Sequence, residues 1–299
     1  MVDWPGLLKW SLAQTDSTSA FQPMDPDTRH WLHEALESFA FNEKEQLRRI
    51  TEVLGTMETG SSPQECQLKE DILSELMSII DNPELANNLV NCGGLSPLVH
   101  CMLGSRYVSV RKMASLIFSS AAQNNPSVQS YAHSQGVLEG LMEAVRRESD
   151  VQTKESYVTS LSALVRGEFQ DARADFVQRN GLELVRGVVL DPVSVRIVKK
   201  SLLLTINVFY YDHLQPELHI FEQAQSLGLV PILLSLETHA DMEIRQMALQ
   251  ALLNLGRRQI AETQEIRQGI EDWRGRLRRK VGAEEESRAV EEIIQSTGA

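Results

Sequence analysis

Four glycine-led segments recur along the chain at a nearly constant spacing. They begin at Gly94, Gly136, Gly181 and Gly228, which are 42, 45 and 47 residues apart. In each segment the glycine precedes a short apolar run, and a polar turn then leads into a longer segment. The chain is therefore predicted to repeat one supersecondary unit about four times.

The longer segments have apolar residues at helical spacing. In one of them Val110, Met113, Ala114, Ile117 and Phe118 fall on one face of a helix. A repeat of about 40 to 47 residues that contains only helices is typical of armadillo and HEAT units. We predict an all-α, right-handed armadillo/HEAT-like solenoid of about four repeats with capping helices at both ends. The predicted long helices cover residues 108–123, 151–166, 193–211 and 242–256.

Turn signals and composition divide the chain into four predicted regions. The glycine before each short helix suits a sharp turn with positive φ. Residues 26–39 and 43–57 are predicted as a pair of N-terminal helices, residues 68–81 as a half-repeat, and the charged residues 260–295 as a solvated helical tail or two helices. The predicted regions are a flexible segment 1–24, capping helices 25–67, repeats 68–256 and a charged tail 257–299.

Charge and cysteine content exclude several classes of protein. A net charge of −12 opposes binding to nucleic acid or to anionic lipid. The three cysteines form no CxxC pair, which argues against a disulfide framework and favours a reducing compartment. The N-terminus lacks the basic start of a signal peptide, and no apolar run approaches the roughly 20 residues that span a bilayer. We expect a cytoplasmic protein that is not in a membrane.

The sequence contains no recognisable catalytic constellation. There is no P-loop and no GxGxxG motif. Cys92, His100 and Cys101 are the nearest approach to a metal cluster, but their spacing matches no standard site. His30 and His33 share one helix face, which we interpret as a solvated face. We predict a protein that is not an enzyme and holds no metal or cofactor.

Basic residues are concentrated in two places. The run 274–280 is flanked by acids at Glu271, Asp272 and 284–286, so charge pairing along a helix is favoured over a nucleic-acid patch. The other basic residues lie on the predicted long helices, which line the groove of an armadillo stack. A basic groove favours an acidic protein partner, although these side chains could also face solvent or pair with neighbouring acids. They are Arg111, Lys112, Lys154, Arg166, Arg196, Lys199, Lys200 and Arg245.

An asparagine ladder on the long helices is the usual feature of solenoids that hold extended peptides. The equivalent positions here are Ser120, Ala163, Asn207 and Asn254. Only the last two could hold a peptide backbone. The partial ladder favours recognition of a folded surface.

Five local strings resemble one family, the armadillo-type (Fes-type) nucleotide-exchange factors of seventy-kilodalton heat-shock (DnaK-type) chaperones, in particular its plant-like members. They occur in the expected order. They are LLKWSLA at 7–13, RHWLHEAL at 29–36, DNPELANN at 81–88, AQNNP at 122–126 and LSALVR at 161–166.

The resemblance implies a co-chaperone that binds the chaperone's nucleotide-binding domain, accelerates ADP release and so promotes client release. The partner-binding residues that it implies, together with their neighbours on the same strings and helices, are Ala86, Asn87, Asn88, Gln123, Asn124, Lys154, Arg166, Arg196, Lys199 and Lys200. It also implies that a segment with Leu7, Leu8, Trp10 and Leu12 mimics a client and prevents its recapture.

The chain departs from the family pattern at two places, Ser156-Tyr157 and Val208-Phe209-Tyr210-Tyr211. A monomeric protein is expected because polar helices are predicted at both ends of the stack. The alternative is an armadillo adaptor or scaffold for protein–protein interaction that has no exchange activity.

Overall fold

The structure is a computed structural model that describes residues 25–56, 58, 62–80, 82–167, 169–212, 214–256, 264–279 and 284–297, without side-chain detail at 35–44, 285, 289, 293, 296 and 297. The described residues form helices and turns and contain no strand. They fall into two compact units, of which the first ends at Arg49 and the second begins at Ile50. None of the described helices is long and apolar enough to cross a membrane.

Sixteen α-helices are present in the described residues, with two 3-10 turns at Pro216–Leu218 and Leu236–Thr238. They are α1 (Pro26–Leu54), α2 (Pro63–Met77), α3 (Pro83–Asn91), α4 (Leu95–Gly104), α5 (Val108–Ala122), α6 (Pro126–Ser134), α7 (Val137–Arg147), α8 (Val151–Val165), α9 (Gln170–Gln178), α10 (Gly181–Leu190), α11 (Val195–Tyr210), α12 (Ile220–Ser226), α13 (Leu229–Ser235), α14 (Met242–Leu255), α15 (Gln264–Arg279) and α16 (Glu284–Thr297).

The described part of the first unit is the N-terminal portion of α1. Asp25 caps this helix, because its Oδ1 accepts a hydrogen bond from the Thr28 N–H at 2.9 Å. The prediction of two helices at 26–39 and 43–57 is wrong. The backbone between them, Ala40-Phe41-Asn42, contains no proline or glycine to end a helix, and α1 continues through it.

In the second unit the helices stack in three rows, as in an armadillo solenoid. The long helices α2, α5, α8, α11, α14 and α16 pack side by side in that order, and we call this row the long-helix ladder. A second row consists of α4, α7 and α10, and a third of α3, α6 and α9. The predicted all-α solenoid is therefore confirmed.

Side-chain caps fix where the long helices begin. Asp150, Ser194 and Asp241 each accept a hydrogen bond from a backbone N–H in the first turn of α8, α11 and α14 respectively. Proline at the start of α2, α3 and α6 also fixes where these helices begin, because its fixed φ suits the first turn.

The repeat-leading glycines have two different physical roles. Gly136 and Gly228 have φ of 71° and 66°, as predicted for a left-handed turn before a helix. At the other two junctions the preceding residue, Gly93 or Asn180, adopts the positive φ instead. Gly94 and Gly181 leave no room for a side chain, because an added Cβ would overlap the side chains of Leu89 and Phe176 respectively.

The C-terminal region is packed into the stack. Of the two predicted forms, two helices are present, but the expectation of a solvated tail is wrong. Ile266, Ile270, Trp273 and Leu277 of α15 are buried, and α15 packs on α13 while α16 packs on α14. The sparse apolar residues recur at helical spacing, so they suffice to cover the end of the core.

Candidate functional site

Nine of the ten predicted partner-binding residues fall into two groups. Lys154, Arg196, Lys199 and Lys200 belong to the N-terminal halves of α8 and α11. Residues 87, 88, 123, 124 and 166 lie on α3 or just after the C-terminal ends of α5 and α8. Because a helix rises 1.5 Å per residue, Lys154 and Arg166 are roughly 18 Å apart along α8. The predicted residues therefore do not form one compact cluster.

Ala86 does not contribute to either group. Its side chain is 2% exposed on the inner face of α3. A partner cannot approach a residue that the solenoid already covers, so the predicted role of Ala86 as a point of close approach is wrong for this chain. The neighbouring Asn87 and Asn88 are half-buried, and Asn87 Oδ1 has no hydrogen-bond partner.

Gln123 and Arg166 occupy equivalent positions, directly after α5 and α8. Gln123 and the following Asn124 are exposed, and Asn124 turns the chain with a φ of 53°. Arg166 is half-buried, and this burial lowers the pKa of its guanidinium below the ordinary range. Its Nε has no partner among the described residues.

Among the basic residues of α11, Lys200 is the one that its neighbours leave available. Lys199 Nζ lies 2.8 Å from Asp241 Oδ2 and 2.5 Å from Glu243 Oε2. Hydrogen bonds to Asp241 and Glu243 raise the pKa of Lys199. Arg196 is exposed and lies 3.7 Å from Glu155 Oε2. Lys200 forms no ion pair with any described residue.

Two of the predicted groove arginines are internal. Arg111 donates from Nε and Nη2 to Glu148 Oε2 at 3.0 and 2.8 Å, and from Nη1 to the Ser105 carbonyl at 3.0 Å. Arg245 is arranged in the same way, with Nε and Nη2 bound to Glu286 at 2.5 and 2.7 Å. We call these two contacts the repeat staples, since each joins one repeat to the next. The groove is less basic than the sequence predicts.

The staple arginines share a position in the sequence that the sequence analysis did not use. Arg111 and Arg245 are each the fourth residue of a long helix. Lys154 is the fourth residue of α8, yet it lines a cleft between repeats rather than pairing with an acid. Lys112, by contrast, reaches the next long helix and donates to Gln152 Oε1 at 3.0 Å.

The two departures from the family pattern serve the core. Tyr157 and Ser156 are buried, and the Tyr157 hydroxyl donates to the Met102 carbonyl at 2.8 Å. Val208 and Phe209 are buried as well, whereas Tyr210 is exposed. Most of the added bulk therefore fills the interior of the stack rather than its surface.

The asparagine ladder is weaker than predicted. Asn254 is 4% exposed, and its Nδ2 donates to the Ile206 carbonyl at 2.8 Å. It holds α14 to α11 and is not free to bind a peptide backbone. Asn207 is half-buried, with an Oδ1 that has no partner in the described structure.

The histidines and cysteines considered as possible metal ligands lie in ordinary structural positions. His30 pairs with Glu34 on an exposed face, as predicted. Cys101 is buried, which raises the pKa of its thiol, while Cys92 is exposed. Within the described ranges no group of three or more His, Cys, Asp or Glu side chains is placed to hold a metal ion.

The basic run near the C-terminus is neutralised by acids. Arg274 pairs with Glu271 and Glu291, and Arg278 also pairs with Glu291. Arg276 pairs with Glu237. The predicted charge pairing along this run is confirmed for these arginines.

The three rows of helices and the repeat staples define an armadillo-type solenoid. The fold is similar to a designed armadillo repeat protein in complex with the peptide (KR)4, with a TM-score of 0.67, 18% identity, and coverage of 83% of this chain and 99% of that chain. A second engineered protein matches with a TM-score of 0.67 and 19% identity over 84% of this chain and 97% of its own.

Residues 85–218 match the family model described as the SIL1/FES1/HPBP1 C-terminal domain, which confirms the resemblance over this region. The Hsp70 nucleotide exchange factor FES1 of Eremothecium gossypii is 30% identical over 151 residues, 44% of this chain and 51% of that protein. Hsp70-binding protein 1 of Rattus norvegicus is 22% identical over 191 residues, 61% of this chain and 53% of that protein. The chain thus aligns with about half the length of these curated relatives.

Proposed function

We propose that this protein is a co-chaperone that binds the nucleotide-binding domain of a seventy-kilodalton heat-shock chaperone and accelerates the release of ADP. It acts by binding and not by catalysis, as a monomer in the cytoplasm. One observation carries the proposal. The nine predicted partner-binding residues other than Ala86, from Asn87 to Lys200, all lie within the region 85–218 that matches the SIL1/FES1/HPBP1 family model.

The mechanism follows from linkage. A protein that binds the open form of the nucleotide-binding domain more tightly than the closed, ADP-bound form shifts the equilibrium towards the open form. The same coupling requires ADP to weaken the binding of the factor. The solenoid suits this role because stacked helices present one long, rigid surface.

Lys200 is the residue on which we place the partner contact. It is half-buried on the long-helix ladder within the matched region and forms no ion pair with a described residue. A free ammonium on a protein of net charge −12 favours an acidic patch on the chaperone. Gln123 and Asn124 add exposed polar groups at the far end of α5.

The test is stopped-flow release of a fluorescent ADP analogue from a cytosolic seventy-kilodalton chaperone, with and without this protein. Lys200→Glu is expected to reduce the acceleration at least about tenfold, because it places like charges opposite each other. Arg267→Glu is the matched control. It makes the same change of charge on an exposed residue of α15 that lies outside the matched region.

Binding of the chaperone must be measured in parallel by calorimetry. If the protein binds the chaperone without accelerating ADP release, the proposed exchange activity is wrong and the adaptor alternative holds. Equal losses in Lys200→Glu and Arg267→Glu would show that the general charge, rather than the ladder, determines binding.

A further inference from the structure

Two junctions between repeats carry a staple, and the junction that follows α8 does not. Arg111 and Arg245 are each held by a glutamate that belongs to the following repeat. At the equivalent junction between α8 and α10 the corresponding residues are Lys154, the fourth residue of α8, and Asp191, which follows α10. Lysine lacks the guanidinium fork and aspartate is one methylene shorter than glutamate. Neither Lys154 nor Asp191 forms an ion pair within the described structure.

A cleft of about 330 Å³ opens where the staple is missing, and Lys154 and Asp191 both line it. Its floor is apolar, formed by Val145, Leu184 and Ile197. Two further charged residues at its edge are engaged elsewhere. Arg146 lies 3.7 Å from Glu143 and Glu183 lies 3.5 Å from Arg186. The cleft therefore presents one free ammonium and one free carboxylate above an apolar floor.

Gly187 is an independent indication that something approaches this cleft. It lies in the interior of α10 and lines the cleft. Glycine within a helix costs about 1 kcal/mol relative to alanine. Packing does not require it, because an added Cβ would meet no atom within 4 Å. A glycine that the fold does not need suits the close approach of another chain.

Exposed apolar side chains surround the same cleft. The described chain exposes ten large apolar residues, and four of them are Val151, Leu190, Val193 and Val195. Val193 lines the cleft itself, Leu190 and Val195 lie within three residues of it in sequence, and Val151 is one helical turn before Lys154. Apolar side chains that cluster in this way mark binding surfaces more often than single exposed ones do.

We propose that this cleft binds a short segment of a partner protein in which apolar residues are flanked by one acidic and one basic side chain. The apolar residues cover the floor, the acid pairs with Lys154, and the base pairs with Asp191. A segment with a single charge would leave the opposite group of the cleft desolvated and unpaired. Lys154 is also one of the predicted chaperone-binding residues, but the site goes beyond the proposed exchange activity because Lys200, on which the exchange contact is placed, takes no part in it.

The probe is a display library of random peptides, selected on the wild-type protein and counter-selected on the double variant Lys154→Arg, Asp191→Glu. This variant introduces the arginine and glutamate found at the two stapled junctions and is expected to close the cleft. Peptides that survive should carry the predicted pattern of charges and apolar residues. Synthetic copies should bind the wild type at least about tenfold more tightly than the double variant.

Two more variants separate binding from folding. Gly187→Gln fills the cleft from α10, where the backbone has room for a side chain, and should abolish peptide binding without lowering Tm. Lys200→Glu should leave peptide binding unchanged. The proposal is overturned if no peptide distinguishes the wild type from the double variant, or if the selected peptides bind Gly187→Gln as well as the wild type.

Discussion

Arg111 and Glu148 join two successive repeats through a contact that only the folded chain creates. Nε and Nη2 of Arg111 donate to Glu148 Oε2 at 3.0 and 2.8 Å, and both side chains are largely buried, with exposures of 17% and 8%. Charge-assisted hydrogen bonds of this kind are about twice as strong as neutral ones. The contact therefore fixes how α5 lies against the next repeat.

Arg111→Ala is expected to destabilise the protein by about 2 to 3 kcal/mol, because it leaves the buried Glu148 carboxylate without its cation. Chemical denaturation followed by circular dichroism measures the loss. Arg147→Ala is the control, since Arg147 is 80% exposed and its removal should change stability by less than about 0.5 kcal/mol. Similar losses in the two variants would contradict the role of the staple.

Two glycines of the same helix predict opposite effects on stability. Gly181→Ala should destabilise by about 1 to 3 kcal/mol, since the new Cβ would overlap the buried Phe176 ring. Gly187→Ala should stabilise by about 0.5 to 1 kcal/mol, since its Cβ meets nothing within 4 Å. Thermal melts test both, with Gly187→Ala expected to raise Tm by roughly 1 to 4 °C. A fall in Tm for Gly187→Ala would mean that the fold itself requires this glycine.

Stability at alkaline pH should depend on Tyr157. Burial raises the pKa of Tyr157 to about 12, whereas an unfolded tyrosine has a pKa of about 10. Below about pH 10 both states hold the proton and its contribution is fully present. Between about 10 and 12 the unfolded state loses its proton first, so stability falls as pH rises.

Tyr157→Phe should remove this part of the alkaline decline and should also cost stability at neutral pH, since it removes the hydrogen bond to the Met102 carbonyl. Denaturation across this pH range measures both effects. An unchanged alkaline slope in Tyr157→Phe would assign the decline to other groups.

Because of Glu58, stability should also fall at acidic pH, which is a pH dependence of the opposite sign. Its partial burial opposes ionisation, but hydrogen bonds from the Ser105 hydroxyl, the Arg106 N–H and the Lys69 ammonium outweigh it and hold the pKa of Glu58 below its ordinary 4.5. The stability that ionised Glu58 contributes is present above its unfolded pKa. It is lost as pH falls through the lowered folded pKa.

Glu58→Gln should flatten the acid decline of stability. At neutral pH it should cost about 3 kcal/mol, because Lys69, whose side chain is 2% exposed, loses its counter-ion. Glu45→Gln serves as the control, since the ion pair of Glu45 with Arg48 is exposed on both sides. The assignment fails if both variants keep the wild-type dependence on pH.

The candidate site could be predicted only in part, and Lys154 and Arg111 show why. Both are basic residues at the fourth position of a long helix. In the folded protein Arg111 meets a glutamate of the next repeat, while Lys154 opens into a cleft. The difference depends on the length of the two side chains at each junction and on the distance between repeats. Neither the side-chain lengths at a junction nor the distance between repeats can be read from the position of a residue within its own helix.

The sequence by itself determined the glycine-led short helices and the long helices of the repeats, and their order. Periodic apolar residues, capping residues such as Asp150 and Asp241, and the left-handed glycines Gly136 and Gly228 act within one or two turns of the chain, so they can be read without a fold. Tertiary structure alone decided which residues stay exposed. Asn254, Ala86 and the helices of the C-terminal region are covered because neighbouring repeats pack on them. Such burial depends on the distances between repeats, which cannot be read from the sequence.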